Sequence, residues 1–282
     1  MSYYKALGLQ SEPFSTSPDP TFFYQSSAHR TALSRLEIAI RLRRGLSIIL
    51  GDVGTGKTTL SRALLQAFAN EDGFLFYMIL DPSYKSEFQF LEVLSKMFGI
   101  MPSHRSTLDY KEAIEKFLFQ KGVDENKTIV LVIDEGQKLS ASFLEMLRTL
   151  LNYETNEYKL LQLVIFSQME LLPKILKIRN FLDRVSLKYI INPLDEEETG
   201  QLINFRLKKA GLNHSSEGLF TSGAVKLIFD HSQGYPRRIA LLCHNALEAI
   251  VMHERGYVDE DVVSYLVNEE SRQGWDQNLF KN

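Results

Sequence analysis

Leu46-Ser47-Ile48-Ile49-Leu50-Gly51-Asp52-Val53-Gly54-Thr55-Gly56-Lys57-Thr58-Thr59 is the stretch from which the rest of the chain can be ordered. Its first five residues form an apolar run of strand length. Residues 51–58 then follow the pattern G-x-x-x-x-G-K-[ST], and the sequence beyond them takes up a helical period. Glycines at 51, 54 and 56 let backbone N–H groups turn toward one point at a helix start, where partial positive charge collects. Such a cradle binds phosphate. Asp52, Val53, Thr55 and Thr59 complete the loop and its exit. Lys57 is placed to reach β- and γ-phosphates, and the Thr58 hydroxyl to ligate Mg²⁺.

Downstream, short apolar runs at 46–50, 74–80, 128–133, 160–166 and 185–191 alternate with amphipathic stretches at 58–69, 87–98, 110–120 and 142–151. Nearly continuous apolar strands alternating with helices predict an α/β fold with a five-stranded parallel sheet sandwiched by helices. Upstream, residues 28–44 follow a helical period, and Gly45 is expected to stop that helix. After Pro193 the strand signal ends, and 195–210, 221–231, 236–254 and 259–269 each read as helix. The expected organisation is therefore an arm at 1–27 rich in Pro and aromatic residues, an α/β nucleotide-binding domain at 28–192, a helical lid domain at 193–270 and a polar tail at 271–282. The arm's rings argue that it packs on a body, since a disordered tail would lack them.

The run at 128–133 leads straight into Asp134-Glu135. Two carboxylates at the carboxyl end of a buried strand stand where ligands bind in parallel α/β sheets. Asp134 is read as part of the Mg²⁺ shell and Glu135 as the group that polarises an attacking water. A strand and two helical stretches separate this pair from the phosphate loop, which allows another strand to lie between theirs.

Composition narrows the setting. The 282 residues are 44% hydrophobic and 24% charged, the proportions of a soluble globular protein. Cys243, the one cysteine, lies in a run that reads as buried helix, so no disulfide framework can form and a reducing cytoplasm fits. A net charge of -3 supplies no global field toward nucleic acid. No apolar run approaches the ~18 residues that cross a bilayer, and the N-terminus lacks the pattern of a secretory signal.

Together these motifs and the helical C-terminal region resemble the AAA+ P-loop ATPases. The N-terminal wording is more specific. Tyr4, Leu7-Gly8-Leu9, Pro13-Phe14, Ser17-Pro18-Asp19-Pro20 and Phe22-Phe23-Tyr24, with 51–60 and 162–171, are similar to the ExeA family of secretion ATPases. The resemblance spans about 3–270. It implies ATP and Mg²⁺ as ligands, a homo-oligomer whose active site is shared between subunits, and an oligomeric motor or switch serving a membrane-associated secretion or envelope-assembly partner from the cytoplasm. By the same resemblance Ser167 or Gln168 takes the sensor 1 place at the end of the fourth strand. Arg184, with Arg179 as competitor, takes the place of a finger given to the neighbouring subunit. In Gly234-Tyr235-Pro236-Arg237, Arg237 takes the sensor 2 place, with Arg238 as its rival. The rings at 22–24 would flank adenine or pack in a core. Longer ExeA-type proteins continue into a transmembrane segment and a peptidoglycan-binding domain, and this sequence stops after the helical region.

Two alternatives belong to other classes. Arg30, Arg35, Arg41, Arg43 and Arg44 on one helix suggest an ATP-dependent DNA-binding regulator similar to the transposition proteins MuB and TnsC, although a solvated basic face explains them more cheaply. DNA is thus the less favoured partner. A nucleotide-gated scaffold without hydrolysis is opposed by Glu135.

Overall fold

The computed structural model describes residues 2–17, 19–100, 106–212 and 218–272. They form two bodies. One comprises 27–53 and 57–191; the other comprises the arm up to residue 26, residues 54–56 and the chain from 192 onward.

The first body is built on five parallel strands. They are β1 (Leu46–Gly51), β2 (Phe74–Ile79), β3 (Thr128–Ile133), β4 (Leu161–Ser167) and β5 (Val185–Ile191), in the order β2-β3-β4-β1-β5. Every residue of β1, β3 and β4 is buried. That is why these runs read as continuously apolar: a central parallel strand is covered on both faces. The outer strand β5 instead alternates half-buried with exposed residues along most of its length. β4 lies between β1 and β3, as the spacing of the two motifs allowed.

Helices Ser27–Arg41, Lys57–Ala67, Glu87–Met97, Thr107–Phe119 and Ala141–Leu150 cover the sheet. Their starts follow from side chains that satisfy orphan N–H groups. Ser86 accepts from the Gln89 N–H, Ser140 from that of Phe143, and Ser106 with Asp109 forms a reciprocal capping box. Phe90, Leu91, Leu94, Ile114, Leu118, Leu144 and Leu147 fill the core with Ile129, Leu131 and Leu163 of the sheet.

The first helix stops earlier than 28–44 suggested, and Gly45 is not the residue that stops it. The helix ends at Arg41, and Arg43 takes the left-handed conformation (φ 50°). The N–H groups of Arg43 and Arg44 close back on the Ile40 and Ala39 carbonyls. Contacts offset the cost of a non-glycine residue there. The Arg43 guanidinium donates to Thr128 Oγ1 (3.0 Å), the Gly122 carbonyl (3.2 Å) and Asn126 Oδ1 (3.0 Å), and lies 4.4 Å from the centre of the Tyr158 ring.

The second body is helical. Asp195 caps helix Glu196–Lys209, Thr221 caps Ser222–Ser232, Pro236 opens Pro236–Met252, and Glu260–Arg272 follows. Their core contains Leu202, Ile203, Ile228, Ile239, Cys243 and Ile250, together with Leu9 and Phe14 of the arm. The arm is less extended than its prolines suggest, with a helical turn at Tyr3–Ala6 and a 3₁₀ turn at Pro20–Phe22. It is also bonded to the helical body: Gln10 N–H donates to the Ala210 carbonyl (2.7 Å) and Arg206 Nη1 to that of Ser15 (3.2 Å). Phe22 and Tyr24 pack against the same core. Burial pushes the Cys243 thiol far up, so it behaves as a small apolar group. Pro18 of the arm and 273–282 of the expected tail lie outside the described residues. Among the described residues no helix is long and apolar enough to cross a membrane.

Candidate nucleotide-binding site

Strand register brings the functional side chains of the first body together. Leu50 of β1 pairs with Ser167 of β4, and Ile133 of β3 pairs with Ile165 of β4. The carboxyl ends of β1, β3 and β4 therefore finish within a few residues of one another.

From β1 the chain passes through Gly51 into the loop, where Gly54 (φ 84°) and Gly56 (φ 92°) occupy conformations that favour glycine. Lys57 begins the next helix and is only 8% exposed. Its ammonium donates to the Gly51 and Asp52 carbonyls, each at 2.7 Å. Burial holds its pKa below the ordinary lysine value, against the pull of Asp134, Glu135 and Asp52. Thr58 follows, with Thr59 half-buried behind it.

Asp134 leaves the end of β3 only 2% exposed. Burial raises its carboxyl above the usual range, opposed by hydrogen bonds from the Thr58 hydroxyl and from the Glu135 N–H (2.9 Å). A buried carboxylate bonded to the hydroxyl that follows the loop lysine suits a small divalent cation, whose charge would offset the desolvation. Among the described residues no cluster of three or more His, Cys, Asp or Glu could hold a metal by itself. Thr58 and Asp134 would thus share the ion with phosphate oxygens and water, the habit of Mg²⁺.

Glu135 is half-buried and left-handed (φ 54°, ψ 37°), a conformation that costs a non-glycine residue about 1 kcal/mol or more. Its Oε2 accepts from Gln137 Nε2 at 2.6 Å. Sequence reasoning did not single out Gln137. Its Oε1 accepts from the Gln168 N–H (3.1 Å) and from Ser167 Oγ (3.3 Å). Ser167, the fully buried last residue of β4, takes part through its hydroxyl; Gln168 takes part through its backbone. The nearest signal for Gln137 was an amide two residues beyond the carboxylate pair.

One expected site residue is elsewhere. Arg184 precedes β5, and Val185 pairs with Leu46 while Ile191 pairs with Gly51. Arg184 is thus at the amino end of the sheet, about 20 Å along the strands from its own phosphate loop. There its charge adds to burial in lowering the Lys159 pKa. Arg179 is exposed at the start of the turn Arg179–Leu182. In the helical body Arg237 is exposed, and its N–H donates to the Gly54 carbonyl at 3.4 Å. Arg238 instead lies over the Tyr235 ring at 4.9 Å.

The arginine-bearing helix does not offer a free basic face. Arg41 makes a two-pronged pair with Glu71 (2.8 and 2.6 Å) and covers Phe68, Arg35 lies over Tyr189, and Arg43 is held as described. Arg44 lines a cleft of about 620 Å³ that also contains Glu154 and Glu157, so both signs of charge meet there.

Comparison with known proteins agrees with this geometry. The family model described as AAA domain matches residues 40–175. General secretion pathway protein A of Aeromonas hydrophila is 34% identical over 249 residues, covering 88% of this chain and 44% of that protein. The chain thus spans less than half the length of this relative. Among solved structures, ORC2 of Aeropyrum pernix in ADPNP and ADP complexes superposes with a TM-score of 0.63 at 17% identity, over 92% of this chain and 72% of that one. Drosophila ORC bound to DNA gives 0.66 at 20%, over 90% and 63%. The RuvB branch-migration motor of Thermotoga maritima gives 0.56 at 12%, over 87% and 72%. At these identities the structures share the fold alone.

Proposed function

We propose that the chain is an AAA+ P-loop protein of the ExeA type, a Mg²⁺-dependent ATP hydrolase working as a homo-oligomeric motor or switch. The observation that carries the reading is the meeting of Lys57 and Thr58, at the helix that follows β1, with Asp134 and Glu135 after β3. Loop N–H groups and Lys57 bind the phosphates, and Lys57 exchanges carbonyl partners for phosphate oxygens. Thr58 and Asp134 would hold Mg²⁺, which would supply positive charge against the transferring phosphoryl group. Glu135 orients a water toward that group and takes its proton. Arg184 serves the site of a neighbouring copy, since its place at the far end of the sheet keeps it from its own. Arg237, whose N–H donates to the Gly54 carbonyl, takes the sensor 2 role. We further propose a membrane-associated secretion or envelope-assembly partner, with the chain at the cytoplasmic face; the relationship to general secretion pathway protein A supports this.

The DNA-regulator alternative is weaker, because Arg35, Arg41 and Arg43 already have partners within the chain. Steady-state ATP hydrolysis measured against protein concentration, with and without duplex DNA, separates the two. Turnover per subunit should rise with assembly and ignore DNA. A strict requirement for DNA, with affinity falling steeply in salt, would favour the alternative. Glu135→Gln should lower turnover by about 10²- to 10⁴-fold while nucleotide binding persists.

A further inference from the structure

We infer that Gln137 is a positioning residue for hydrolysis: its side-chain amide ties the Glu135 carboxylate to the end of β4 and so aims it. The inference rests on the reading of Glu135 as the water-orienting group.

Hydrogen-bond chemistry fixes which way the amide points. A backbone N–H only donates, so the Gln137 atom 3.1 Å from the Gln168 nitrogen is the oxygen. Ser167 Oγ lies 3.3 Å from that oxygen, and its one proton is shared between it and the nearer Gln168 carbonyl at 3.0 Å. The NH₂ end then faces Glu135 Oε2 at 2.6 Å, and an ionised carboxylate only accepts. A glutamate in the place of Gln137 would match the size and the β4 end but would set a second acceptor against the first. The amide alone satisfies both ends.

The turn that holds Gln137 has little freedom to withdraw. A Cβ at Gly136 would come within 2.4 Å of Ile165 Cγ2 and 3.2 Å of the Phe166 carbonyl, so glycine lets the turn press onto β4. Lys174 Nζ clamps the other side, donating to the Gln137 carbonyl (2.5 Å) and to that of Leu139 (3.2 Å). Glu135 thus has one oxygen occupied and one left to meet water, on a left-handed backbone. A shift at the end of β4 passes through one side chain to the carboxylate. Ser167 therefore acts on Glu135 through Gln137.

The test uses the full chain in four forms: wild type, Gln137→Ala, Gln137→Glu and Glu135→Gln, with the double variant Gln137→Ala/Glu135→Gln. Turnover number, KM for ATP and binding of a fluorescent ADP analogue are measured, with single-turnover hydrolysis for the slow forms. Gln137→Ala and Gln137→Glu should each lower kcat about tenfold or more, as small misplacements of a catalytic group do, with nucleotide affinity unchanged. In the Glu135→Gln background Gln137→Ala should cost nothing further, because its effect passes through that carboxylate. Wild-type kcat in Gln137→Glu beside a crippled Glu135→Gln overturns the inference alone. A loss that multiplies fully in the double variant, or one seen in KM and ADP affinity, also overturns it, since a structural role would behave so. Normal turnover in Glu135→Gln overturns the underlying reading, and the inference with it.

Discussion

At the carboxyl ends of β1, β3 and β4, Lys57 and Asp134 are buried, Glu135 is held left-handed, and an amide bridges two strands. At the amino ends of the same sheet the charges are satisfied by ordinary means. Lys159 pairs with Glu154, and Arg43 caps a helix while bonding three neighbours. Left-handed non-glycine backbone occurs at both ends, at Glu135 and at Arg43, but buried charge is concentrated at the carboxyl end, in Lys57 and Asp134. Such departures mark a site, because a fold selected for stability alone would remove them. Arg184 is the exception at the quiet end. It is half-buried and charged, and it stands beside a lysine whose charge it opposes. In the proposed assembly the two ends of one sheet serve one reaction: each copy keeps its loop and carboxylates at one end and presents an arginine from the other.

The largest test of this contrast is Arg184→Ala. Turnover in the assembled protein should fall by about 10³-fold, as for other arginine fingers, with nucleotide binding and assembly retained. An unaffected variant would return Arg184 to the quiet end.

Gly136→Ala sharpens the comparison from the other side. The added methyl would press on Ile165 and the β4 backbone, so we expect a loss of about 1–3 kcal/mol by denaturant titration together with slower turnover. Stability loss with full kcat would mean that the turn does not aim Glu135.

Arg43→Ala should have the smallest catalytic effect. It removes several hydrogen bonds at the amino end, for a loss of about 1–3 kcal/mol, and the turnover number of the folded protein should stay near wild type. A matching fall in kcat would show the two ends to be less independent than the geometry suggests.

What the sequence made legible follows this same division. The five strands, the loop and the Asp134-Glu135 pair are local patterns. A strand buried on both faces has to be apolar throughout, and a phosphate cradle needs glycines and a lysine at fixed spacing. Gln137 was hidden because its role depends on register: only the pairing of β3 with β4 brings its amide to Ser167 and Gln168. The helix stop failed for a related reason. Gly45 carried the local signal, but partners distant in sequence, Thr128 and Tyr158, allow Arg43 to take the left-handed place. The aromatic residues of the arm announced packing without naming its surface, since Leu9 and Phe14 meet a core formed some two hundred residues later. The arginines of the first helix were visible as a cluster, yet only the fold reveals that Glu71 and two aromatic rings occupy Arg41.

The central claim is that the carboxylate end of one copy and the arginine end of another form one active site. The direct measurement mixes Glu135→Gln subunits with Arg184→Ala subunits and follows ATP hydrolysis across the mixing ratio at constant total protein. Each variant alone should be nearly inactive, while the mixture should recover activity, since some interfaces then join an intact Glu135 to an intact Arg184. A mixture that co-assembles and stays as inactive as its parents at every ratio would contradict the account.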